Sequence, residues 1–396
     1  MKSNVIIIGG GQAGCMTAIA LRKQKYKGSI LIVNSEDHLP YQRPPLSKGF
    51  LLNQIQEDSL YLKTTKYFEK NNIKIKKNTT VSRIDTKNKK VVIDDFEIAY
   101  DVLSISTGSI LNKLSVSCND ESIHYLRNIS DAKKIRDIIK TKQNIVVVGA
   151  GYIGLEIAAS SRKNGLNVTV LEKEDRIMKR AVCSETSNFI QKKHEEEGVK
   201  FIFNTSIQDI EDCNNMKNIL FTDGKNLATD AVIVGVGVRP NQQLAMRSEI
   251  ECDNGIIINE YGRTSINNIY AAGDCTNHPN NIYKEMLRLE SVHNAIEQGK
   301  TVASSINGKK VSYEQVPWFW SDQYNLKIQI AGIFSNYEEC IVKKNTQEES
   351  LAVFYMKNNK LIAIDAINNH RIFSKCKKII ASGSPINSND IDRLWH

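Results

Sequence analysis

Two short glycine-rich runs in this chain have the spacing that holds a pyrophosphate. They are Gly9-Gly10-Gly11-Gln12-Ala13-Gly14 and Gly149-Ala150-Gly151-Tyr152-Ile153-Gly154. Each follows an apolar stretch, Val5–Ile8 or Ile145–Val148, and opens a helix-like one, which is the setting the chemistry requires. The first glycine allows the tight turn, the second lets the backbone approach a phosphate, and the third packs helix against strand. The helix N-terminus then offers oriented N–H donors and a positive dipole. Gly9, Gly11, Ala13 and Gly14 are the candidate contacts in the first run, and Gly149, Gly151, Tyr152, Ile153 and Gly154 in the second. Glycine turns in an ordinary α/β protein would have to produce this context twice. Two dinucleotides bound to one chain imply that electrons pass between them.

A dinucleotide site of this kind also needs an acidic residue at the end of its second strand, to accept from the adenosine ribose. In the second copy this is Glu172, after strand Asn167–Leu171. A carboxylate there repels a 2′-phosphate, so NADH is expected over NADPH, with Lys173 softening the preference. In the first copy the segment is Val33-Asn34-Ser35-Glu36, where either Ser35 or Glu36 could hold the ribose. The proline-rich stretch from His38 to Lys48 cannot form regular helix or a central strand, so it reads as a stiff loop that places side chains, Arg43 and Lys48 among them. The eight cysteines are scattered without a C-x-x-C, which argues against a disulfide framework, a zinc site or a redox dithiol, and no metal is expected. Cys275 and His278 have C-x-x-H spacing but no second pair. His194 and His293 lie on helix-like stretches with no triad partners in view.

These residues need elements to position them, and 396 residues leave room for two or three domains. The first βαβ unit runs from Val5 to about Glu36. Segments near Ile73–Ile75, Thr80–Ile84 and Lys90–Ile93 read as a small meander, and Asp101–Gly108 as a buried strand ending in a turn. A second unit begins near Leu111 and closes with a strand at Ala231–Gly237. From Val316 onward aromatic and strand-like segments follow, including Lys327–Ala331, Leu351–Tyr355 and Leu361–Ala366. The expected fold is α/β: two Rossmann-like dinucleotide-binding domains of glutathione-reductase type plus a smaller α+β C-terminal domain. The net charge of +9 is spread out, without a basic helix or arginine-rich run, so an acidic protein partner is expected rather than nucleic acid. No leader-like segment precedes the first strand and no apolar run nears the ~20 residues that span a bilayer, so a cytoplasmic protein without membrane association is expected.

Tyr41-Gln42-Arg43-Pro44-Pro45-Leu46-Ser47-Lys48 resembles the flavin loop of FAD-dependent ferredoxin and rubredoxin reductases. Tyr125-Leu126-Arg127, Gly154-Leu155-Glu156, Ala272-Gly273-Asp274 and Arg288-Leu289-Glu290-Ser291 continue the resemblance in order, and the run Val316–Tyr324 is similar to that family's C-terminal signature. The resemblance covers essentially the whole chain. It implies one non-covalent FAD in the first unit and NADH as co-substrate in the second. It divides the chain into FAD-binding segments 1–110 and 245–315, an NADH-binding domain 111–244 and a C-terminal reductase domain 316–396.

Carried over by position, Ala13 and Gly14 lie at the FAD pyrophosphate and the Val81 backbone at the adenine. Arg127 contacts the pyrophosphate, Asp274 accepts from a ribityl hydroxyl, and the Val292 backbone faces the flavin pyrimidine edge. Lys48 would sit beside flavin N5, where a cation stabilises electron density arriving with hydride, and Glu156 would face the nicotinamide and pair with Lys48. Trp320 is proposed at the flavin edge, although Trp318, Phe319 and Trp320 could equally be core. Ser35 replaces a common Asp, Ser106 a common Ala and Asn112 a common Arg.

The implied function is a ferredoxin–NAD+ reductase passing electrons from NADH through FAD to an acidic [2Fe–2S] ferredoxin that supplies a cytochrome P450 or a Rieske oxygenase. The chain lacks the cysteine spacing to hold that cluster itself. An NADH oxidase, peroxidase or disulfide reductase would need a redox cysteine near the flavin, and the loop from Leu39 to Lys48 has none. A redox-sensing NADH-binding flavoprotein resembling apoptosis-inducing factor is the alternative from another class.

Overall fold

The computed structural model describes residues 4–94, 96–118, 123–213 and 216–395. The chain divides into two compact units. One comprises Met1–Gln42, Asp58–Ile110 and Arg239–Phe319, the other Arg43–Glu57, Leu111–Val238 and Trp320–His396.

The first unit is built on a five-stranded parallel sheet in the order Ile269–Ala271, Val102–Ile105, Asn4–Ile8, Ser29–Val33, Ile73–Lys76. Its central strand is apolar on both faces, as a covered parallel strand must be. Ile6 and Ile8 pack with Val33, Leu103 and Ile105, while Val5 and Ile7 pack with Cys15, Ala18 and Ile19 of helix Gln12–Lys23. That helix lies against helix Val292–Ile306. At Gly299 the two backbones come so close that a Cβ would sit 2.8 Å from the Ala13 carbonyl oxygen. Ile73–Lys76 is not part of the expected meander. Ile73 is buried and pairs with Ile30, which draws its strand into the parallel sheet. The antiparallel meander is Val81–Asp85, Lys90–Ile93 and Phe96–Ala99.

The second unit repeats the plan, with a parallel sheet in the order Lys200–Ile202, Asn167–Leu171, Asn144–Val148, Ala231–Val234, Ile123–Tyr125. The two modules share their hydrogen-bond register. Gly9 N donates to Val33 O as Gly149 N does to Leu171 O, and Asn34 N donates to Lys76 O as Glu172 N does to Ile202 O. The repeat therefore places Asn34, rather than Ser35 or Glu36, in the position of Glu172.

The later residues form an antiparallel sheet ordered Trp318–Gln323, Leu326–Gly332, Lys360–Ile367, Ser350–Lys357, Glu339–Asn345, with helices His370–Ser382 and Ser388–Trp395. Its outer strand Glu339–Asn345 is partly exposed and runs as an apolar block, Cys340–Val342, followed by a polar one, Lys343–Asn345, without the alternation that signals a strand. Arg43–Glu57, assigned by sequence to the first domain, packs with the second unit. Within it, Pro44–Ser47 winds into one 3₁₀ turn in a stretch expected to be irregular. Prolines at its start need no N–H partner there. Among the described residues, no helix is long and apolar enough to cross a membrane.

Candidate functional site

Both glycine runs end in the same local construction. Gly9 and Gly149 adopt φ of +109° and +98°, which a side chain would resist. A Cβ on Gly14 or Gly154 would collide with the carbonyl oxygen of Gly9 or Gly149, so the third glycine is required by helix–strand contact. At Gly11 and Gly151, by contrast, nothing lies within 4 Å of where a Cβ would be. These two residues cap helices Gln12–Lys23 and Tyr152–Lys163, which have no side-chain cap and no acid in the first turn. Other helices are capped by side chains, as at Asn128 with its capping box and at Ser291, which accepts from Asn294 N, while helix Ser184–Glu196, also without a side-chain cap, has Glu185 in its first turn. An uncapped N-terminus leaves N–H donors unpaired, and an anion is their natural partner. The residues fit a dinucleotide pyrophosphate at each site.

In the first unit, Ala13, Gly14 and the Asp274 turn come together. A Cβ on Gly273 would lie 2.9 Å from that of Ala13, and Gly273 N donates to Gln298 Oε1 at 2.7 Å. Ser109 donates to Asp274 Oδ2 at 3.1 Å. Val292 opens its helix directly after the Ser291 cap, and Val81 is buried at the start of its strand. Ser35 is exposed, whereas the half-buried Glu36 carboxylate accepts from the Tyr41 hydroxyl. Asn34 is buried beneath Gly10 and donates to the carbonyls of Glu36 and His38 at 3.1 and 2.9 Å. It shapes the ribose-side loop and carries no charge, so charge-based reading passed over it.

In the second unit, Glu156 is the centre of a buried polar cluster. It is only 2% exposed. Its Oε1 lies 2.8 Å from Lys48 Nζ and accepts from the Ser321 hydroxyl at 2.5 Å, and its Oε2 accepts from the Ser47 hydroxyl at 2.5 Å. Ser321 in turn accepts from Gln323 Nε2, and Gln323 Oε1 meets His194 Nε2 at 2.8 Å. Burial pushes His194 down to about 4 against the opposing hydrogen bond to Gln323. Burial, then the carboxylates of Asp365 and Glu156, raise the pKa of Tyr152, so its hydroxyl stays protonated. Strand alternation turns Ser321 and Gln323 inward and leaves Trp320 half-buried on the opposite face. Sequence reading missed Ser47 and Ser321, although each adjoins a residue it singled out.

Glu172 receives two backbone bonds, from Ala150 N to Oε2 at 2.7 Å and from Glu174 N to Oε1 at 3.0 Å. It braces the glycine turn from below. Arg43 donates to the Arg127 carbonyl at 2.5 Å, and Arg127 N donates to Asp131 Oδ2. Ile153 is exposed on the first turn of its helix. His293 packs against Trp318 with ring centroids 5.5 Å apart and the rings tilted by 49°.

Two Rossmann modules with like pyrophosphate cradles, a Lys–Glu pair with its carboxylate buried and an appended antiparallel domain define a two-dinucleotide oxidoreductase. The pyridine nucleotide-disulphide oxidoreductase family matches residues 3–299, and the reductase C-terminal domain family matches residues 318–392. The chain belongs to the pyridine nucleotide-disulphide oxidoreductase family; it is a flavoprotein oxidoreductase that uses FAD and NAD(H). It is 37% identical to rhodocoxin reductase of Rhodococcus erythropolis, over 97% of this chain and 90% of that one. Among solved structures it is similar to a chain in the covalent putidaredoxin reductase–putidaredoxin complex, with TM-score 0.94 and 34% identity over 98% of this chain and 95% of that one. It is also similar to the ferredoxin reductase for the CYP199A2 system from Rhodopseudomonas palustris, with TM-score 0.91 and 33% identity over all of both chains.

Proposed function

We propose that this protein is a cytoplasmic NADH-dependent ferredoxin reductase whose acceptor is an acidic [2Fe–2S] ferredoxin serving a P450 or Rieske oxygenase. The observation that carries the reading is the pair of uncapped, acid-free helix N-termini, each fronted by a glycine that leaves open space. The relatives' named partners and the Reductase C-terminal domain support the choice of ferredoxin. FAD, when bound without a covalent link, accepts hydride from NADH and gives electrons up singly to a one-electron carrier.

The chain's own residues then have separate tasks. The N–H groups after Gly11 and Gly151 hold the two pyrophosphates, with Ala13 and Gly14 serving FAD, and Tyr152, Ile153 and Gly154 serving NADH. Glu172 keeps acceptor lone pairs for ribose hydroxyls while holding the glycine turn, and its charge disfavours a 2′-phosphate. Asp274, Val81, Val292, Arg43 and Arg127 are proposed FAD contacts, with Ser35 or Glu36 toward the ribose. Lys48 offers its positive charge to the flavin, and Glu156, clamped by Ser47 and Ser321, holds that ammonium in place. Trp320 is the proposed exit toward the ferredoxin. The four-segment division at 110, 244 and 315 is proposed for the cofactor domains.

The test is reduction of an added [2Fe–2S] ferredoxin by NADH and the purified holoprotein. Flavin that is reduced by NADH yet leaves every ferredoxin oxidised would favour the redox-sensor alternative.

A further inference from the structure

Far from the Lys48–Glu156 cluster in sequence, the second unit gathers three metal-ligating groups that no part of the reductase chemistry uses. The Sγ atoms of Cys183 and Cys340 and a carboxylate oxygen of Glu185 all lie within 4.8 Å of one another. Cys183 is buried at the N-cap of helix Ser184–Glu196, Cys340 is partly buried on strand Glu339–Asn345, and Glu185 is exposed on the first helical turn. We propose that Cys183, Cys340 and Glu185 form a binding site for a thiophilic divalent cation, Zn2+ by preference, with water as the fourth ligand.

The geometry suits a tetrahedral ion. Zn–S bonds of roughly 2.3 Å and Zn–O bonds of roughly 2.0–2.2 Å place ligand atoms roughly 3.5–4 Å apart, within the spread found here. Two thiolates and a carboxylate select a soft, d¹⁰ ion over Mg2+ or Ca2+, which prefer all-oxygen ligands. The surroundings hold Cys183 in place. Its N–H donates to the Tyr355 hydroxyl at 3.2 Å and its thiol to Thr186 Oγ1 at 3.6 Å. Tyr355 and Thr186 both donate to buried Asp365 Oδ2, at 2.6 and 2.7 Å. Outer partners of this kind fix the direction of a first-layer ligand.

Charge is also balanced. Binding displaces two thiol protons to solvent, and an ion of charge 2+ among two thiolates and a carboxylate leaves one negative charge. Arg176, whose guanidinium donates to the Val182 and Cys183 carbonyls at 2.9 and 3.3 Å, offsets it. Exposed Glu185 and Tyr337, which is 40% exposed, leave an entry path on the solvent side.

The test uses the reduced FAD-loaded protein and the metal alone. Zn2+ is titrated against a chromophoric chelator, and Cd2+ is added to look for a thiolate-to-metal band in the difference spectrum. The expected result is one equivalent of tight Zn2+ and a cadmium–thiolate band in the unaltered protein. Both should be lost in Cys340→Ser, and Glu185→Gln, an exposed change that should not disturb folding, should weaken Zn2+ at least tenfold. Zn2+ binding unchanged in both variants, or no cadmium band in the unaltered protein, overturns the proposal. So does a pair of thiols that oxidises to a disulfide in air and, once reduced, takes up no Zn2+.

Discussion

Lys48→Ala removes the ammonium paired with a carboxylate that is 2% exposed and leaves that carboxylate with the Ser47 and Ser321 hydroxyls. Breaking a buried ion pair on one side costs about 3–5 kcal/mol. The Lys48 side chain is 18% exposed, so the expected loss lies at the lower end of that range, about 3 kcal/mol. Removing both charges in Lys48→Ala/Glu156→Gln should recover most of it, since the amide can still pair with both serines. Hydrogen exchange of the amides in helix Tyr152–Lys163, followed by mass spectrometry, reads the local opening energy without assuming that the whole flavoprotein unfolds in one step. Stopped-flow reduction of the flavin by NADH should slow in Lys48→Ala with little change in NADH affinity. A loss under about 1 kcal/mol, or a double variant that is the sum of its singles, would refute the reasoning.

Asp274→Ala should weaken FAD retention by about 1–3 kcal/mol, the scale of a charge-assisted hydrogen bond, and fluorescence of released flavin on dilution checks it. Glu172→Ala should narrow the NADH-over-NADPH ratio of kcat/KM. It should also raise KM for both nucleotides, because Ala150 N and Glu174 N lose their acceptor; equal use of the two nucleotides by the unaltered protein contradicts the assignment. Stability should fall between pH 7 and pH 5. His194 and His278 are held by burial at about 4, below the unfolded value, so the unfolded chain takes up protons first as pH drops. Each costs about 2 kcal/mol at pH 5, whereas Asp365, raised by burial to about 6, opposes them by about 1 kcal/mol. A flat guanidinium midpoint across that range would contradict these burial effects.

What could be read from the sequence was what a short stretch decides for itself. The glycine runs were legible because positive φ at Gly9 and Gly149 and the close approach at Gly14 and Gly154 are local demands. Lys48 and Glu156 stood out through the resemblance of the Tyr41–Lys48 loop and of Gly154-Leu155-Glu156 to the ferredoxin reductases. Ser47 and Ser321 did not, since serine is common in loops and their shared target appears only when strand Trp318–Gln323 meets the helix carrying Glu156. Asn34 became visible only through the register that the two modules share. The packing of Arg43–Glu57 with the second unit and the approach of Cys340 to Cys183 are long-range outcomes that no local pattern encodes.

The central claim is that this chain moves electrons from NADH to an acidic ferredoxin, and the most direct measurement compares two acceptors across ionic strength. Charge steering by a protein of net charge +9 is screened over ~8–10 Å at moderate salt. Reduction of the ferredoxin should therefore fall steeply as salt rises, while reduction of a small artificial acceptor stays nearly constant. Trp320→Ala should depress the first reaction more than the second. If salt and the Trp320 substitution affect both acceptors equally, docking of an acidic ferredoxin is not what this surface does.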